Sequence, residues 1–260
     1  MKKSIKNNVI IIGAAGGLGD SLVNVCLEHG DAVYAVVKTS VKYADSKQEY
    51  MTRLANSSRL HVSECDISDY KASSNVVKNI FNIAETVNYV YICTGIKLTE
   101  SNNDYWGDIK KTVDINFLSI INCIQSIVEL SDNKKIVKIV VVSSMGDKHG
   151  MIGTHGYNSS KGALSILCES LQYDFWLNKN NICLQVVRPG FIRTKMNNNS
   201  LFANFMSVTC EKAAKKVFRL SRSPKFYNSF PFAMNIFTML LSFLPIKIRY
   251  FVLMRLNNDR

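Results

Sequence analysis

The sequence predicts an α/β fold with a doubly wound parallel sheet and helices on both faces. Five short runs rich in Val and Ile alternate with helical stretches, at residues 9–12, 33–37, 87–93, 136–142 and 182–187. Continuous apolar runs of this length are typical of strands buried on both sides. Because the crossovers between parallel strands are right-handed, any ligand site is expected at the carboxyl ends of these strands.

The first predicted strand leads through a glycine-rich turn into a helix. Residues 9–12 are followed by Gly13-Ala14-Ala15-Gly16-Gly17-Leu18-Gly19, and a helical pattern then runs to His29-Gly30. Glycines allow a tight turn and a close approach of the backbone to a pyrophosphate, and the helix N-terminus presents free N–H groups. The turn therefore predicts a dinucleotide site of the Rossmann type. A plain packing turn between strand and helix is the alternative interpretation.

The residues after the second predicted strand indicate which dinucleotide binds. Val37 is followed by Lys38, Thr39 and Ser40, with no acidic side chain. An acidic residue here would bind the adenosine ribose and repel a 2′-phosphate, whereas Lys38 offers a cation. We predict a preference for NADP(H), with NAD(H) as the alternative if Lys38 is only a solvated loop lysine.

Three polar residues in the middle of the chain predict acid–base chemistry. Tyr157 and Lys161 are four residues apart at the start of a helical pattern, so they share one helix face. Ser144 follows the strand at 136–142; Ser143 is its competitor, but successive strand residues point to opposite faces of the sheet. A nearby cation lowers a tyrosine pKa from its usual value of about 10 and makes the phenol a usable acid or base. A surface helix with an unrelated Tyr and Lys is the alternative.

These motifs resemble the short-chain dehydrogenase/reductase family over essentially the whole chain. The resemblance is carried by Gly13-x-x-x-Gly17-x-Gly19, Ser144, Tyr157 and Lys161, and by Asp66, Thr94-Gly95, Asn116, Pro189-Gly190 and Thr194. It implies that the catalytic residues are Ser144, Tyr157, Lys161 and Asn116. It implies cofactor contacts at Gly13, Ala15, Gly16, Gly17, Leu18, Gly19, Lys38, Asp66, Ile67, Thr94, Gly95, Tyr157, Lys161, Pro189, Gly190, Ile192 and Thr194.

The chain departs from the family pattern at three positions. Ile12 stands where the family often has threonine, and Ile92 and Cys93 replace the two asparagines of the strand-four motif. These changes remove side-chain hydrogen bonds from the cofactor pocket. They leave the four expected catalytic side chains in place.

The resemblance implies an oxidoreductase that moves a hydride between a nicotinamide and a carbonyl or secondary alcohol carbon. Tyr157 is expected to be the general acid or base, with Ser144 holding the substrate oxygen. Lys161 is expected to lower the pKa of Tyr157 and to hold the nicotinamide ribose, and Asn116 to anchor a water. A cofactor-binding regulatory or scaffold protein without turnover is the alternative. A homo-dimer or homo-tetramer through the helices bearing Asn116 and Tyr157 is a further expectation from the resemblance.

The expected substrate loops are mostly apolar, which predicts an apolar or lipid-like substrate. The loops cover residues 96–106, 145–155 and 191–205. Their apolar side chains include Met145, Met151, Ile152, Phe191, Met196, Leu201, Phe202 and Phe205. His149 and His155 are either substrate contacts or loop residues with no role.

The C-terminal region is apolar and basic. We predict a Rossmann domain at residues 1–225 and a helical extension of the same domain at 226–260. Residues 230–244 form an apolar stretch shorter than the ~20 residues that span a bilayer. Residues 212–260 contain ten basic side chains and one acidic side chain, which is nine of the formal net charge of +12. A peripheral membrane contact through residues 230–256 is one interpretation; completion of the core, a lid and an oligomer interface are the others.

The remaining features narrow the class of protein. Seven scattered cysteines without metal-ligand spacing predict reduced thiols, no metal site and a cytoplasmic location. The apolar run near the N-terminus is too short for a signal peptide. No basic groove with interleaved aromatic residues is visible, so nucleic acid is not an expected partner.

Overall fold

The computed structural model describes residues 5–38, 57–98, 104–131, 135–194 and 207–257. The strands are β1 (Asn8–Ile12), β2 (Ala32–Val37), β3 (Leu60–Glu64), β4 (Tyr89–Ile92), β5 (Val137–Val142), β6 (Ile182–Pro189), β7 (Ile192–Arg193), β8 (Val208–Thr209) and β9 (Tyr227–Phe230). The main sheet has seven strands in the order β3-β2-β1-β4-β5-β6-β9, and every neighbouring pair is parallel. The predicted doubly wound α/β fold is confirmed.

Helices cover both faces of this sheet. They are α1 (Gly17–His29), α2 (Tyr70–Ala84), α3 (Tyr105–Val113), α4 (Ser119–Leu130), α5 (His155–Leu177), α6 (Cys210–Leu220), α7 (Phe232–Phe243) and α8 (Ile246–Asn257). A π-helical turn, Asp114–Leu118, joins α3 to α4, and a 3₁₀ turn, Met145–Asp147, follows β5. Strands β7 and β8 form a separate two-stranded ribbon.

The alternation of side chains along β1 divides the core into two layers. Ile10 and Ile12 pack in the layer that contains buried residues of α2, α4 and α5. Val9 and Ile11 pack in the opposite layer, with buried residues of α1 and α6. Burial on both faces explains why the central strands are continuously apolar.

Two strands of the main sheet are missing from the five predicted runs. Strand β3 has the sequence Leu-His-Val-Ser-Glu and β9 has Tyr-Asn-Ser-Phe. Both are edge strands with partly exposed side chains, so neither produces an apolar run. The region 226–260, predicted to be a helical extension, therefore begins with a strand of the main sheet before α7 and α8.

One continuous helical stretch, Tyr105–Leu130, is long and apolar enough by length and composition to cross a membrane. Its buried residues include Ile120, Cys123, Ile124 and Ile127, which pack in the same core layer as α2 and α5. Its apolar character is explained by this packing against the sheet.

The turn after β1 depends on a glycine at position 13. Gly13 has φ of +85°, and a Cβ there would lie 2.6 Å from Thr94 Oγ1 and 2.8 Å from Thr94 N. The left-handed conformation and the contact with β4 both exclude a side chain.

We expect Gly13→Ala to lower the free energy of unfolding by about 2–4 kcal/mol, because it adds left-handed strain and a steric overlap. Gly150 is the matched control, since a Cβ there would meet nothing within 4 Å, and Gly150→Ala should change stability by less than about 0.5 kcal/mol. Urea denaturation of both variants measures this difference. Equal effects would contradict the role given to Gly13.

Candidate active site

The site lies at the carboxyl ends of the central strands, where turns from several elements meet. Gly13 contacts Thr94 at the end of β4. Gly17, the first residue of α1, lies against Thr194 and Cys210, because a Cβ at Gly17 would be 3.5 Å from Thr194 Cγ2 and 2.9 Å from Cys210 Sγ. The structure therefore brings the glycine turn, the end of β4 and the segment after β7 to one edge of the sheet.

The glycine turn leaves the N-terminus of α1 open to a ligand. Gly16 is the N-cap residue and has no side chain to bond the first turn of the helix. The N–H groups of Gly13 and Ala14 both donate to the carbonyl of Val36, and Gly19 packs on the carbonyl of Gly13. These contacts hold the turn closed, and the N–H groups of the first turn of α1 have no side-chain cap at Gly16.

Lys161 carries a buried ammonium group beside this edge. The residue is only 3 % exposed, and its Nζ donates to the carbonyl oxygen of Val142 over 3.0 Å. A Cβ at Gly95 would lie 3.2 Å from Nζ and 3.4 Å from Asn116 Oδ1, so glycine is favoured at position 95. Burial lowers the pKa of Lys161 to about 8.

Asn116 fixes the backbone that follows β4. Its side-chain amide donates to the carbonyl of Ile96 over 2.8 Å and accepts from the N–H of Ile96 over 2.7 Å. It also donates to Ser160 Oγ over 3.3 Å. Asn116 lies in the π-helical turn, a rare local structure that is common at functional sites. The structure thus gives this amide a positioning contact that the sequence did not predict.

Ser144 and Tyr157 lie near each other. Tyr157 lies in the first turn of α5 and is partly exposed, and the Ser144 hydroxyl lies near enough to act on the pKa of its phenol. Burial raises the pKa of Tyr157, the Ser144 hydroxyl lowers it and the Asp147 carboxylate raises it further. The prediction that Lys161 lowers this pKa is wrong for the structure described, because the Lys161 ammonium is directed to Val142 instead.

Asp147 is a buried acidic residue that the sequence did not single out. Its Oδ2 atom accepts hydrogen bonds from Arg188 Nε at 2.6 Å, from Ser143 Oγ at 3.1 Å and from Ser165 Oγ. Ser143 therefore belongs to this buried network, which leaves Ser144 to face Tyr157. A single acidic residue in a polar loop carries no pattern that would have identified it.

The Asp147 network ties three site elements together. The 3₁₀ turn that ends at Asp147 begins just after Ser144, Ser165 is on the helix of Tyr157, and Arg188 precedes Pro189 on β6. The guanidinium of Arg188 stacks on Tyr227 with 3.6 Å between Cζ and the ring centroid. The buried ion pair thus holds β6 and the Ser144 turn against α5.

Lys38, directly after β2, is paired with Asp66, which follows β3. Lys38 Nζ lies 2.5 Å from Asp66 Oδ2, and both side chains are about half exposed. The pKa of Asp66 is lowered: burial opposes the shift, and hydrogen bonds from Lys38 and Ser68 outweigh it. Ile67 beside it is buried. Thr39 and Ser40 lie outside the described residues.

The loop after β6 packs against the C-terminal region. Pro189 is the last residue of β6 and pairs with Phe230 of β9. The sequence analysis had expected it just after the strand. The N–H of Gly190 donates to the carbonyl of Phe230 over 2.8 Å. A Cβ at Gly190 would lie 3.2 Å from Pro231 Cδ and 3.7 Å from Met145 Sδ. Ile192 is buried and Thr194 meets the glycine turn.

The two histidines of the predicted substrate loops have different surroundings. His149 is buried, and burial lowers its pKa. His155 is exposed and lies 3.0 Å through Nδ1 from the hydroxyl of Tyr105. The predicted pocket residues Met196, Leu201, Phe202 and Phe205 lie outside the described residues. Within the described ranges, no group of three or more His, Cys, Asp or Glu side chains could hold a metal ion.

Comparison with known proteins agrees with this geometry. The 3-dehydrosphinganine reductase of Danio rerio is 25 % identical over 185 residues, which is 70 % of this chain and 55 % of the relative. The chain therefore spans about half the length of this curated relative.

Solved structures share the fold at low identity. A short chain dehydrogenase from Burkholderia cenocepacia in complex with NADP superposes with a TM-score of 0.75 at 16 % identity, covering 92 % of this chain and 94 % of that one. A short chain dehydrogenase/reductase from Burkholderia phymatum in complex with NAD gives a TM-score of 0.79 at 14 % identity, with the same coverage of each chain.

The family model described as short chain dehydrogenase matches residues 7–203. This range contains every element that meets at the carboxyl edge of the sheet except α6 and the C-terminal elements that follow it. The chain belongs to the short chain dehydrogenase family.

Proposed function

We propose that the protein is an NADP(H)-dependent oxidoreductase that transfers a hydride between nicotinamide and a carbonyl or secondary alcohol carbon of an apolar or lipid-like substrate. One observation carries the proposal. The Ser144 hydroxyl lies near enough to the Tyr157 phenol to lower the pKa of that phenol, at the edge where the buried ammonium of Lys161 lies. Two hydroxyls and a cation in a desolvated site suit the binding and protonation of a carbonyl oxygen.

The residues present fit a nicotinamide dinucleotide. The uncapped first turn of α1 suits a pyrophosphate, with Gly17, Leu18 and Gly19 supplying N–H groups. Lys161 has three donors, one of which binds Val142, so it retains donors for the ribose hydroxyls of the nicotinamide half. When bound, the cofactor supplies or accepts the hydride.

The protein's own groups handle the substrate oxygen and its proton. In the reducing direction Tyr157 donates its phenolic proton to the carbonyl oxygen, and Ser144 donates a hydrogen bond that holds this oxygen in line. Asn116 keeps the Ile96 backbone in place beside Lys161.

The electrostatics keep the Tyr157 phenol protonated. Burial raises the pKa of Tyr157, and the Asp147 carboxylate acts in the same direction against the Ser144 hydroxyl, so the phenol is held protonated. A protonated phenol is the form that a carbonyl reductase needs at the start of its cycle.

Two observations support an apolar, lipid-like substrate. Met145, directly after Ser144, packs against Gly190 and is buried, so apolar side chains flank the hydroxyl pair. The sphinganine reductase relative acts, by its name, on a long-chain lipid ketone.

The preference for NADP(H) rests on Lys38. Lys38 forms an ion pair with Asp66 at the end of β2. On binding of NADP(H), Lys38 would leave this carboxylate and pair with the 2′-phosphate. Positions 37 and 38 are Val and Lys, so neither offers a carboxylate to accept hydrogen bonds from the ribose hydroxyls of NAD(H).

We also propose a cytoplasmic homo-dimer or homo-tetramer. Ile166, Tyr173, Trp176 and Leu177 are exposed on the helix that bears Tyr157, and a partner would cover them. All seven cysteines are free thiols, which suits a reducing compartment.

We expect Tyr157→Phe to lower kcat for ketone reduction by about 100-fold or more, because general acid catalysis is removed. NADPH affinity should stay within about twofold, since the phenol is not needed for the pyrophosphate contact. Tyr173→Phe on the same helix is the matched control and should leave turnover unchanged. Turnover by Tyr157→Phe at the wild-type rate would refute the role. A wild-type protein that binds NADPH but reduces no ketone would favour the scaffold alternative.

Lys38→Asp should raise the Kd for NADPH by about tenfold or more, because the 2′-phosphate then meets two carboxylates. The Kd for NADH should fall or stay the same. Lys78→Asp, an exposed site on α2, makes the same change in net charge and should affect neither. Fluorescence titration of the bound nicotinamide measures both constants, and unchanged NADPH affinity in Lys38→Asp would overturn the assignment.

Asp147→Asn tests the buried network through pH. Burial sets the main pKa shifts of Tyr157 and Lys161, and the Asp147 carboxylate raises both values. Neutralising it lowers both, so the alkaline limb of kcat/KM for ketone reduction should move to lower pH by roughly 0.5–1 unit. Asp174→Asn, exposed near the end of the same helix, should leave the profile in place. An unmoved limb in Asp147→Asn would show that the carboxylate acts only on folding.

A further inference from the structure

We propose that α7 and α8 form a docking surface for an anionic lipid membrane, placed so that a lipid-like substrate enters the site from the bilayer. The part that concerns substrate entry rests on the proposed function. The docking itself is independent of it, and the two are tested separately below.

Helix α7 presents a continuous apolar face to solvent. The exposed residues are Phe232, Ile236, Met239, Leu240 and Phe243, which the helical repeat brings to one side of the helix. Phe232 is 75 % exposed and Phe243 is 79 % exposed. The buried residues of α7, Met234, Thr238 and Leu241, lie on the opposite side and attach the helix to the protein. The apolar face is therefore not needed for the fold of the chain.

Helix α8 adds further exposed apolar side chains. Ile246, Ile248, Tyr250 and Phe251 are each at least half exposed. Arg249 ties the two helices together, because its guanidinium donates to the carbonyls of Leu241, Ser242 and Leu244 over 2.8–3.0 Å. The last turn of α7 is thereby capped, and the first turn of α8 is fixed beside it.

The charge of this surface selects lipid over a second copy of the chain. Residues 230–257 contain no Asp or Glu, and their basic residues are Lys247, Arg249 and Arg255. Lys247 and Arg255 are exposed. A two-fold contact between copies would bring these cations together, whereas an anionic headgroup layer attracts them. Apolar side chains interleaved with Lys and Arg on helices too short to cross a bilayer are typical of interfacial binding.

Only part of the basic C-terminal segment belongs to the docking surface. The lysines and arginine of α6 lie on a helix that packs against α1, on a different layer of the sheet. Arg222 stacks on Phe218, with 3.4 Å between Cζ and the ring centroid. The count of basic residues over 212–260 included α6 and Arg222, but in the structure these residues are separate from α7 and α8.

The docking surface adjoins the substrate side of the site. A Cβ at Gly190 would lie 3.3 Å from Met234 Cγ of α7. Lys148 Nζ, in the segment after Ser144, donates to Asn235 Oδ1 of α7 over 3.0 Å. Both loops that flank the hydroxyl pair are thus attached to the inner side of the helix whose outer side is apolar. A membrane bound to α7 would lie beside these two loops.

Vesicle co-sedimentation of the full-length protein tests the docking. The probes are phosphatidylcholine vesicles with and without phosphatidylserine. We expect the wild type to bind the anionic vesicles, and Leu240→Asp/Phe243→Asp to lower the partition coefficient by roughly tenfold or more, because two apolar anchors are lost. Lys247→Glu should weaken binding to anionic vesicles by about fivefold or more. Ile83→Asp on α2, 65 % exposed, is the matched control and should bind like the wild type.

Three outcomes overturn the docking surface. The first is a wild type that binds neither kind of vesicle. The second is equal loss in Ile83→Asp and in the double variant. The third is a double variant whose oligomeric state changes by analytical ultracentrifugation without any change in vesicle binding, because the face would then be a subunit interface.

Substrate entry is tested with two ketones. A long-chain methyl ketone carried in anionic vesicles should be reduced roughly tenfold more slowly by the double variant, in proportion to its lost partitioning. A short water-soluble ketone should be reduced at the wild-type rate. Equal rates on the vesicle-borne ketone would overturn entry from the bilayer. If the wild type reduces neither ketone but still binds vesicles, the proposed function fails while the docking surface stands.

Discussion

Burial of an ammonium group costs free energy unless hydrogen bonds replace its water, and this requirement shapes the carboxyl edge of the sheet. Lys161 meets it with the carbonyl of Val142 at the end of β5. Glycine is favoured at position 95 because a Cβ there would lie only 3.2 Å from Nζ. Asn116 then holds the Ile96 backbone in place beside the cation. These contacts fix the positions of four elements relative to one another: the ends of β4 and β5, the π-helical turn and α5.

A second buried charge extends the same constraint to the other side of the site. Asp147 is compensated by Arg188 and by the hydroxyls of Ser143 and Ser165. Breaking a buried ion pair leaves an uncompensated charge, which is strongly destabilising. The turn that presents Ser144 is therefore held against α5 and β6 together. Of the two buried charges, the Asp147 carboxylate acts on the phenol of Tyr157 and raises its pKa.

The central strands and the glycine turn could be predicted from the sequence because burial on both faces and a positive φ at Gly13 leave direct marks in residue type. The edge strands β3 and β9 could not, since an edge strand needs no apolar run. Asp147 was missed because its partners come from three separate elements and have no fixed spacing. The hydrogen-bond partner of Lys161 could not be predicted either. Helical spacing places Tyr157 and Lys161 on one face, but it does not determine which oxygen accepts from the ammonium.

The central claim is that the edge organised by Lys161 binds a nicotinamide dinucleotide, and nicotinamide fluorescence during titration of the purified protein tests it most directly. The account predicts saturable binding of NADPH, weaker binding of NADH, and a clear loss of affinity for both in Lys161→Met, which removes the donors for the ribose. Absence of binding by either nucleotide would contradict the account. So would unchanged affinity in Lys161→Met, because the buried cation would then serve the fold alone.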